Sequence, residues 1–496
     1  MTRLFLSVLL LTTITLVSGC AAVRPDAGFK EVQKIVTDYG GYRLDWRIDS
    51  ADIPAENIVV DQLISAPLTT DTAVQIALLN NPALQATFED LGVSQADLVE
   101  AGLLRNPALF GQVRFPEGGI GNLNLEFDLA FELLNILMRP ARRQLATEQL
   151  AQTQLRVANE VVVLASEVRA SWYETAGAQM FVDLQRQITR ASRLSYEMAQ
   201  RMHAAGNQSA LNLAIERSTY EQSKIFTADA EKDLFNTRER LTRLMGMWGP
   251  NTEWQLAGKL PEIPPDDPPL TRLEIHAIAN RLDLAVARKE AEILARALGI
   301  TIDWRWFASA EIGINTEREI DGQWLTGPNL KFEIPLFNQH QSDIARIEAQ
   351  LRRSQKRLAA LAIDIRSEVR TQRNALVMAR HRVEHYRNVM VPLQEKIVEL
   401  TQKEYNYMLT GVFDLLTAKK QEFDAYRQYI DAVRDYWIVR TYLQRSLGGR
   451  MPAAPDAALE KDAATPMKPE SSPTGPPIHP DQTDAQKARP ESPHGH

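Results

Sequence analysis

Two histidines four residues apart, His381 and His385 in "HRVEH", are the nearest this chain comes to a catalytic signature. Side chains at i and i+4 share a helix face and can hold a metal ion, and some zinc proteases use the H-x-x-E-H order. Here the pair flanks Val383 inside a sustained heptad run with no evident third ligand, so the spacing reads as an exposed helix face. His381 and His385 are metal candidates at most. The sequence holds no P-loop, dinucleotide fingerprint or nucleophile elbow, so no enzymatic activity is expected. The other residue with reactive chemistry is Cys20, the only cysteine among 496 residues. A single thiol cannot staple a fold, and in an exported chain something must consume it.

The setting of Cys20 suggests what does. Arg3 gives a short basic start, Leu4 to Val17 an apolar run too short to span a bilayer, and Ser18-Gly19 the small residues a signal peptidase needs. Leu16-Val17-Ser18-Gly19-Cys20 resembles the bacterial lipoprotein box. The resemblance implies a signal peptide over 1–19, cleavage before Cys20, and acylation of the new N-terminus with diacylglycerol and palmitate-type chains. At about 0.8 kcal/mol per buried CH₂, two or three chains hold a protein on a membrane. Ala21, in place of aspartate, resembles lipoproteins sorted to the outer membrane. No cofactor is expected beyond that covalent lipid on Cys20.

A formal charge of −7 gives no electrostatic case for nucleic acid. After the export segment no apolar run reaches the length of a membrane helix, so any membrane crossing must be made by strands.

The elements that carry these residues are written twice. "AVQIALLNNPAL" from Ala73 lines up with "IHAIANRLDL" from Ile275, "NLEFDL" from Asn124 with "NLKFEI" from Asn329, Gly206 with Gly411, and "LTRLMG" from Leu241 with "LQRSLG" from Leu443. The offset stays near two hundred residues, which predicts an internal duplication. The expected organisation is an anchor and linker segment over 20–67, a first repeat over 68–259, a proline-rich connector over 260–269, a second repeat over 270–448 and a tail over 449–496. Ten prolines and no aromatic residue between Met451 and His496 predict a disordered tail. Within each repeat the order is helix, two strands, long helix, return helix.

The strands carry the membrane argument. Leu123, Leu125, Phe127, Leu129 and Phe131 alternate with Asn122, Asn124, Glu126 and Asp128, and Leu330, Phe332, Ile334 and Leu336 alternate with Asn329, Lys331 and Glu333. Period-two alternation makes one oily and one wet face. A soluble antiparallel sheet shows the same pattern, but the sequence offers no separate core for these strands to cover. Trp304, Trp306, Trp324 and Phe115 fall near strand ends, where the interfacial aromatics of membrane barrels collect. Leu123, Leu125, Phe127, Leu129, Leu330, Phe332 and Ile334 are therefore expected to face lipid. Four strands cannot close a barrel, so copies of the chain must share one.

The helices are too long for a globule. Pro140 to about Ala205 would extend about 100 Å. In the second repeat Ile344, Leu351, Leu358 and Ile365 are spaced by seven, and the series restarts four residues later as Val369, Leu376, Val383, Met390 and Ile397. Heptads demand partner helices, and a four-residue insertion relaxes the supercoil. Pro140 and Pro335 are expected where strand hands over to helix, since a missing N–H is harmless at a helix start.

The doubled order, with "NNPAL", "FEIPLF" and glycine-containing hairpins, resembles the TolC-type outer-membrane efflux proteins, and the lipid box resembles the branch that works with resistance-nodulation-division pumps. The resemblance covers about Leu68 to Gly448. It implies a mainly α-helical protein with a membrane β-barrel: a homotrimer pooling four strands per chain into a 12-stranded barrel above a coiled-coil helical tunnel. It implies a passive exit duct in the outer membrane that extends into the periplasm. The partners implied are a periplasmic adaptor, an inner-membrane pump and outer-membrane lipids, and the cargo heavy-metal ions or drugs. The hairpin ends would form the periplasmic gate and adaptor contact at Gly206, Tyr405, Gly411 and Asp414, with Thr417 where a second aspartate is often found. The rival reading is a structural or adhesive periplasmic coiled-coil lipoprotein without a pore.

Overall fold

The computed structural model describes residues 23–452, except 25, 27, 49–52, 116–121, 268–269 and 308. Cys20, the export segment, the Pro116 turn and the tail from residue 453 lie outside the described residues.

Leucine, alanine, glutamate, glutamine and arginine dominate the helical stretches, the residue types with the strongest helix propensity. The elements are α1 (Phe29–Gly40), α2 (Ile53–Ser65), α3 (Thr70–Asn80), α4 (Pro82–Gly102), β1 (Ala108–Arg114), β2 (Asn124–Glu132), α5 (Leu133–Ala204) and α6 (Ala210–Leu244). After the connector come α7 (Leu273–Asn280), α8 (Leu282–Asp303), β3 (Ala310–Arg318), β4 (Trp324–Phe332), α9 (Gln341–His385), a π turn over Tyr386–Met390, α10 (Val391–Asn406) and α11 (Val412–Ser446).

Asn81 ends α3 and caps α4, its side chain accepting from the Leu84 N–H at 3.0 Å, with Pro82 at the first helical position. The π turn has a local cause. Pro392 lacks an N–H and its ring would strike a carbonyl four residues back, and one wider turn before it absorbs the conflict.

The four strands form one antiparallel sheet in the order β1-β2-β3-β4. The helices beneath repeat that order: α4 packs on α5, α5 on α8 and α8 on α9. Each strand therefore continues into a helix of the same rank. Further from the sheet the single layer becomes α6, α5, α11 and then α9 with α10. At 1.5 Å per residue the 72-residue α5 is about 108 Å long.

The largest buried side chains, among them Phe88, Leu78, Leu241, Leu284, Tyr436 and Leu443, gather at the waist of this layer. There α1 and α3 pack on α5, and the indole of Trp172 donates to the Leu68 carbonyl at 2.9 Å. The two halves make the same close contact at their ends. Gly246 (φ +69°) lies against the Asn80 carbonyl and Gly448 (φ +90°) against the Asn280 carbonyl, and a Cβ on either would sit 2.5 or 2.8 Å from that oxygen.

One expectation is corrected. Pro140 is not at the strand-to-helix handover: α5 starts at Leu133, and Pro140 is inside it. The leucine- and methionine-containing run Leu133 to Met138 already favours helix, so the handover happens at Glu132, and the proline costs α5 one internal hydrogen bond. Pro335 does lie between β4 and α9. The heptad seam is buried on both sides of its interruption, at Ile365, Val369, Leu376 and Val383, and only partly covered at Ile344, Leu351, Leu358, Met390 and Ile397.

Candidate functional site

The sheet is polarised in the reverse sense to a soluble one. Leu129 is opposite Leu109 and Ile314, Phe127 opposite Gly111 and Thr316, and Ile312 opposite Phe131 and Leu330, so these apolar positions share one face, while Phe110, opposite Asp128, and Leu325, opposite Glu317, fall on the other. That face is bare: Leu109, Phe127, Leu129, Phe131, Ile312, Ile314, Leu330 and Phe332 are all exposed, Leu330 at 71 %. Leu125, on the same face, is half-buried. Leu123 and Ile334 lie just outside β2 and β4, and both are exposed.

The covered face is the polar one. Asn124, only 7 % exposed, donates to Glu317 at 2.7 Å, Asn315 to Glu126 at 3.0 Å and Asn329 to Asp128 at 2.6 Å. Arg114 adds an ion pair to Glu126 at 3.0 Å. In water such a sheet would hide its oil, so this arrangement has the polarity of a strand wall between lipid and an aqueous lumen. Within the chain β1 and β4 each have one unpaired edge. Among the described residues no helix is long and apolar enough to cross a membrane.

At the far end of the helix layer two turns reverse the chain. In the first, Gly206 (φ +74°) donates its N–H to the His203 carbonyl and Asn207 to the Met202 carbonyl. In the second, Met408 (φ +62°) donates to the Tyr405 carbonyl and Leu409 to the Glu404 carbonyl. The hydrogen bonds correspond at an offset of 202 residues, so the structural counterpart of Gly206 is Met408. Gly411 instead matches Ser209: both cap the returning helix in extended conformation. Pairing Gly206 with Gly411 from the sequence is thus corrected by three residues. A non-glycine residue in the left-handed region costs about 1–2 kcal/mol.

Asp414 is the N-terminal clasp of α11, its carboxylate accepting from the Gly411 N–H at 3.1 Å and the Thr410 hydroxyl at 2.7 Å. Those bonds hold its carboxyl below the usual aspartate range. Tyr405 is 38 % exposed, and Tyr407, Met408 and Leu409 beside it are more exposed still. Thr417 donates to the Phe413 carbonyl at 2.8 Å. Glu399, one turn from Lys403 and Lys396, is held down to about 2 by both.

A third feature had no sequence signal beyond the paired aspartates of "PPDDPP". Asp267 of the connector accepts from Arg380 Nε of α9 at 2.6 Å and from the Tyr436 hydroxyl of α11 at 2.6 Å. Arg380 also donates to the carbonyls of Pro264 and Pro265, and Trp437 to that of Pro261 at 2.8 Å. The connector is therefore a strap across α9 and α11. Burial pushes the Asp267 carboxyl up, but the bonds from Arg380 and Tyr436 outweigh it and hold the group below its ordinary value.

His381 and His385 are exposed, His381 lying 3.9 Å from Glu384. Among the described residues no group of three or more His, Cys, Asp or Glu could hold a metal ion.

Residues 276–449 match the family model described as outer membrane efflux protein. The cobalt-zinc-cadmium resistance protein CzcC of Cupriavidus metallidurans is 21 % identical over 77 % of this chain and 91 % of its own length. Among solved structures, the outer membrane channel CmeC of Campylobacter jejuni has a TM-score of 0.67 at 13 % identity, over 79 % of this chain and 88 % of that one. A membrane protein of Pseudomonas aeruginosa has a TM-score of 0.65 at 18 % identity, over 76 % and 92 %. These findings bear out the resemblance to TolC-type efflux proteins read from the sequence.

Proposed function

From a chain whose second half carries the outer membrane efflux protein domain, we propose a subunit of a passive exit duct in the outer membrane. The observation that carries this reading is the reversed sheet, oily outside and hydrogen-bonded within, set on a single layer of helices in the same order. Its open edges β1 and β4 need partners, since a lipid-embedded sheet leaves no edge unpaired. Three copies related head to tail, each pairing β1 with the next β4, make a closed barrel of twelve strands, within the range of natural barrels.

The helix layer has matching open flanks. Phe226 and Phe235 of α6, and Met378 of α9 with Leu400 of α10, are exposed on its two outer helices, where neighbouring copies would cover them. The congruent turns at Gly206 and Met408 and the paired contacts of Gly246 and Gly448 support an internal duplication.

In this duct the protein conducts and does no chemistry. Energy comes from an inner-membrane pump of the resistance-nodulation-division type through a periplasmic adaptor, which the tips at Gly206 and Tyr405 to Asp414 meet. Lipid on Cys20 holds the N-terminus at the membrane. The name of the Cupriavidus relative directs the cargo proposal to divalent heavy-metal ions, with drugs as the alternative class.

The purified full-length protein is expected to show heat-modifiable migration as a trimer and single-channel conductance in planar bilayers. A deletion strain is expected to lose resistance to cobalt, zinc or cadmium. A soluble monomer without conductance refutes the duct, and unchanged metal tolerance with lost drug tolerance refutes the metal assignment.

A further inference from the structure

We infer that the exposed face of α5 from Ile136 to Arg143 binds anionic phospholipid head groups at the inner boundary of the membrane. The inference rests on the duct reading, which puts the bare sheet face in lipid. The apolar band does not stop with β2: Ile136 and Leu137, in the first turns of α5, are 44 % and 54 % exposed. Immediately after them the exposed residues change to Arg139, Pro140 and Arg143. Arg139 and Arg143 lie about 5 and 10 Å beyond Ile136 along the helix, which is the depth of a head-group layer.

Ile136, Pro140, Arg143, Thr147, Leu150 and Gln154 are spaced by three or four, so they form one stripe. Its lower part is covered by the start of α1, where Gln154 donates to the Gly28 carbonyl at 3.4 Å and Leu150 approaches Gly28. Its upper part is bare. A tunnel lined by three copies of α1 to α3 would be blocked, so the stripe faces outward. The bare part is a shallow depression lined by Arg139, Pro140, Arg143, Gln144 and Thr147.

The charges there are uncompensated. Arg139 Nε donates to the Gly102 carbonyl at 2.6 Å, and among the described residues neither arginine has a carboxylate partner. The nearby acids are already engaged, Glu132 by Arg105 and Glu148 by Arg296. Arginine forks suit phosphate, and an anionic membrane surface attracts each such residue by about 1 kcal/mol, which is about five-fold in affinity. The apolar edge above and the bare guanidinium groups below together fit a lipid whose tail continues the band and whose phosphate meets Arg139 and Arg143.

The test uses full-length protein in detergent, exposed to equimolar phosphatidylglycerol and phosphatidylcholine, with retained lipid counted by native mass spectrometry. The wild type is expected to retain phosphatidylglycerol preferentially. Arg143→Gln should lower that preference about five-fold and Arg139→Gln/Arg143→Gln further, while Arg143→Lys keeps most of it. Arg156→Gln, an exposed arginine about 20 Å deeper along α5, should leave it unchanged. Heat-modifiable migration of each variant confirms that it has folded. The inference is overturned by a wild type without preference, by an equal loss in Arg156→Gln, or by retention of lipopolysaccharide in place of phosphatidylglycerol. Failure of the duct reading would show separately, as a wild type that neither inserts nor conducts.

Discussion

Removing the Asp267 carboxylate should loosen the waist of the molecule. Its side chain is 10 % exposed and that of Arg380 14 %, and the pair is joined at 2.6 Å with Tyr436 donating from the other side. Truncating one partner of a buried pair costs about 3–5 kcal/mol, and a hydrogen bond to a charged group contributes about 1.5–3. Arg380 keeps the Pro264 and Pro265 carbonyls and Glu384, and the strap lies at the edge of the layer, so the low end applies. Asp267→Ala should cost about 3 kcal/mol, and Asp267→Asn, which still offers Tyr436 an acceptor, about half that. The assay is urea unfolding followed by tryptophan fluorescence, because Trp437 donates to Pro261 of the same strap and stacks on Tyr173 at 5.3 Å.

The effect has a definite pH window. The Asp267 carboxyl is held below its ordinary value, so its contribution is complete above the unfolded aspartate pKa of about 3.9. It is lost as pH falls below that value through the lower folded one. The variant and the wild type should therefore converge in acid. A loss below about 0.5 kcal/mol at pH 7, or additivity of Asp267→Ala with Arg380→Met in a double-mutant cycle, would refute the strap.

Other perturbations address other parts of the chain. Gly246→Ala and Gly448→Ala should each destabilise by about 1–3 kcal/mol in the same unfolding assay, since both positive φ and a carbonyl closer than 3.0 Å oppose a Cβ. Leu129→Arg, on the oily face, should cost about 2–4 kcal/mol of folding into vesicles, whereas Glu126→Gln, on the other face, should insert normally; gel mobility without heating separates them. Met408→Gly should stabilise the second tip by about 1 kcal/mol, with slower hydrogen exchange over 405–411 as the readout. Asp414→Asn should speed exchange over 411–416 at neutral pH and make no difference once the pH is well below the usual aspartate range, where the wild-type clasp is also protonated.

What the sequence discloses depends on how local the cause is. The alternation through Leu125, Phe127 and Leu129 is a property of neighbouring residues, and the structure places those side chains on one face, bare at Phe127 and Leu129. The handover at Glu132 is masked by Pro140, whose preference for a helix start points seven residues too late, while the favourable run before it carries the helix back to Leu133. The register of the two tips is hidden because glycine marks the left-handed turn only in the first, and the second tip places methionine there. The contacts of Asp267 with Arg380 and Tyr436 span more than a hundred residues and leave no periodic trace. Nor does the packing of α1 on α5, which buries Val32 and Val36.

The reversed sheet also bears on biogenesis. Two hairpins with an oily back and unpaired rims are templates for aggregation in any aqueous compartment. The long helices need only local contacts to form and pack on one another within one chain, so they can mature early. In the proposed duct, pairing of β1 with a neighbouring β4 should be the last event, coinciding with arrival at lipid and with subunit encounter. On the duct reading the unassembled chain would need holdase chaperones, and their depletion should strand it as a helical, proteolysis-prone precursor.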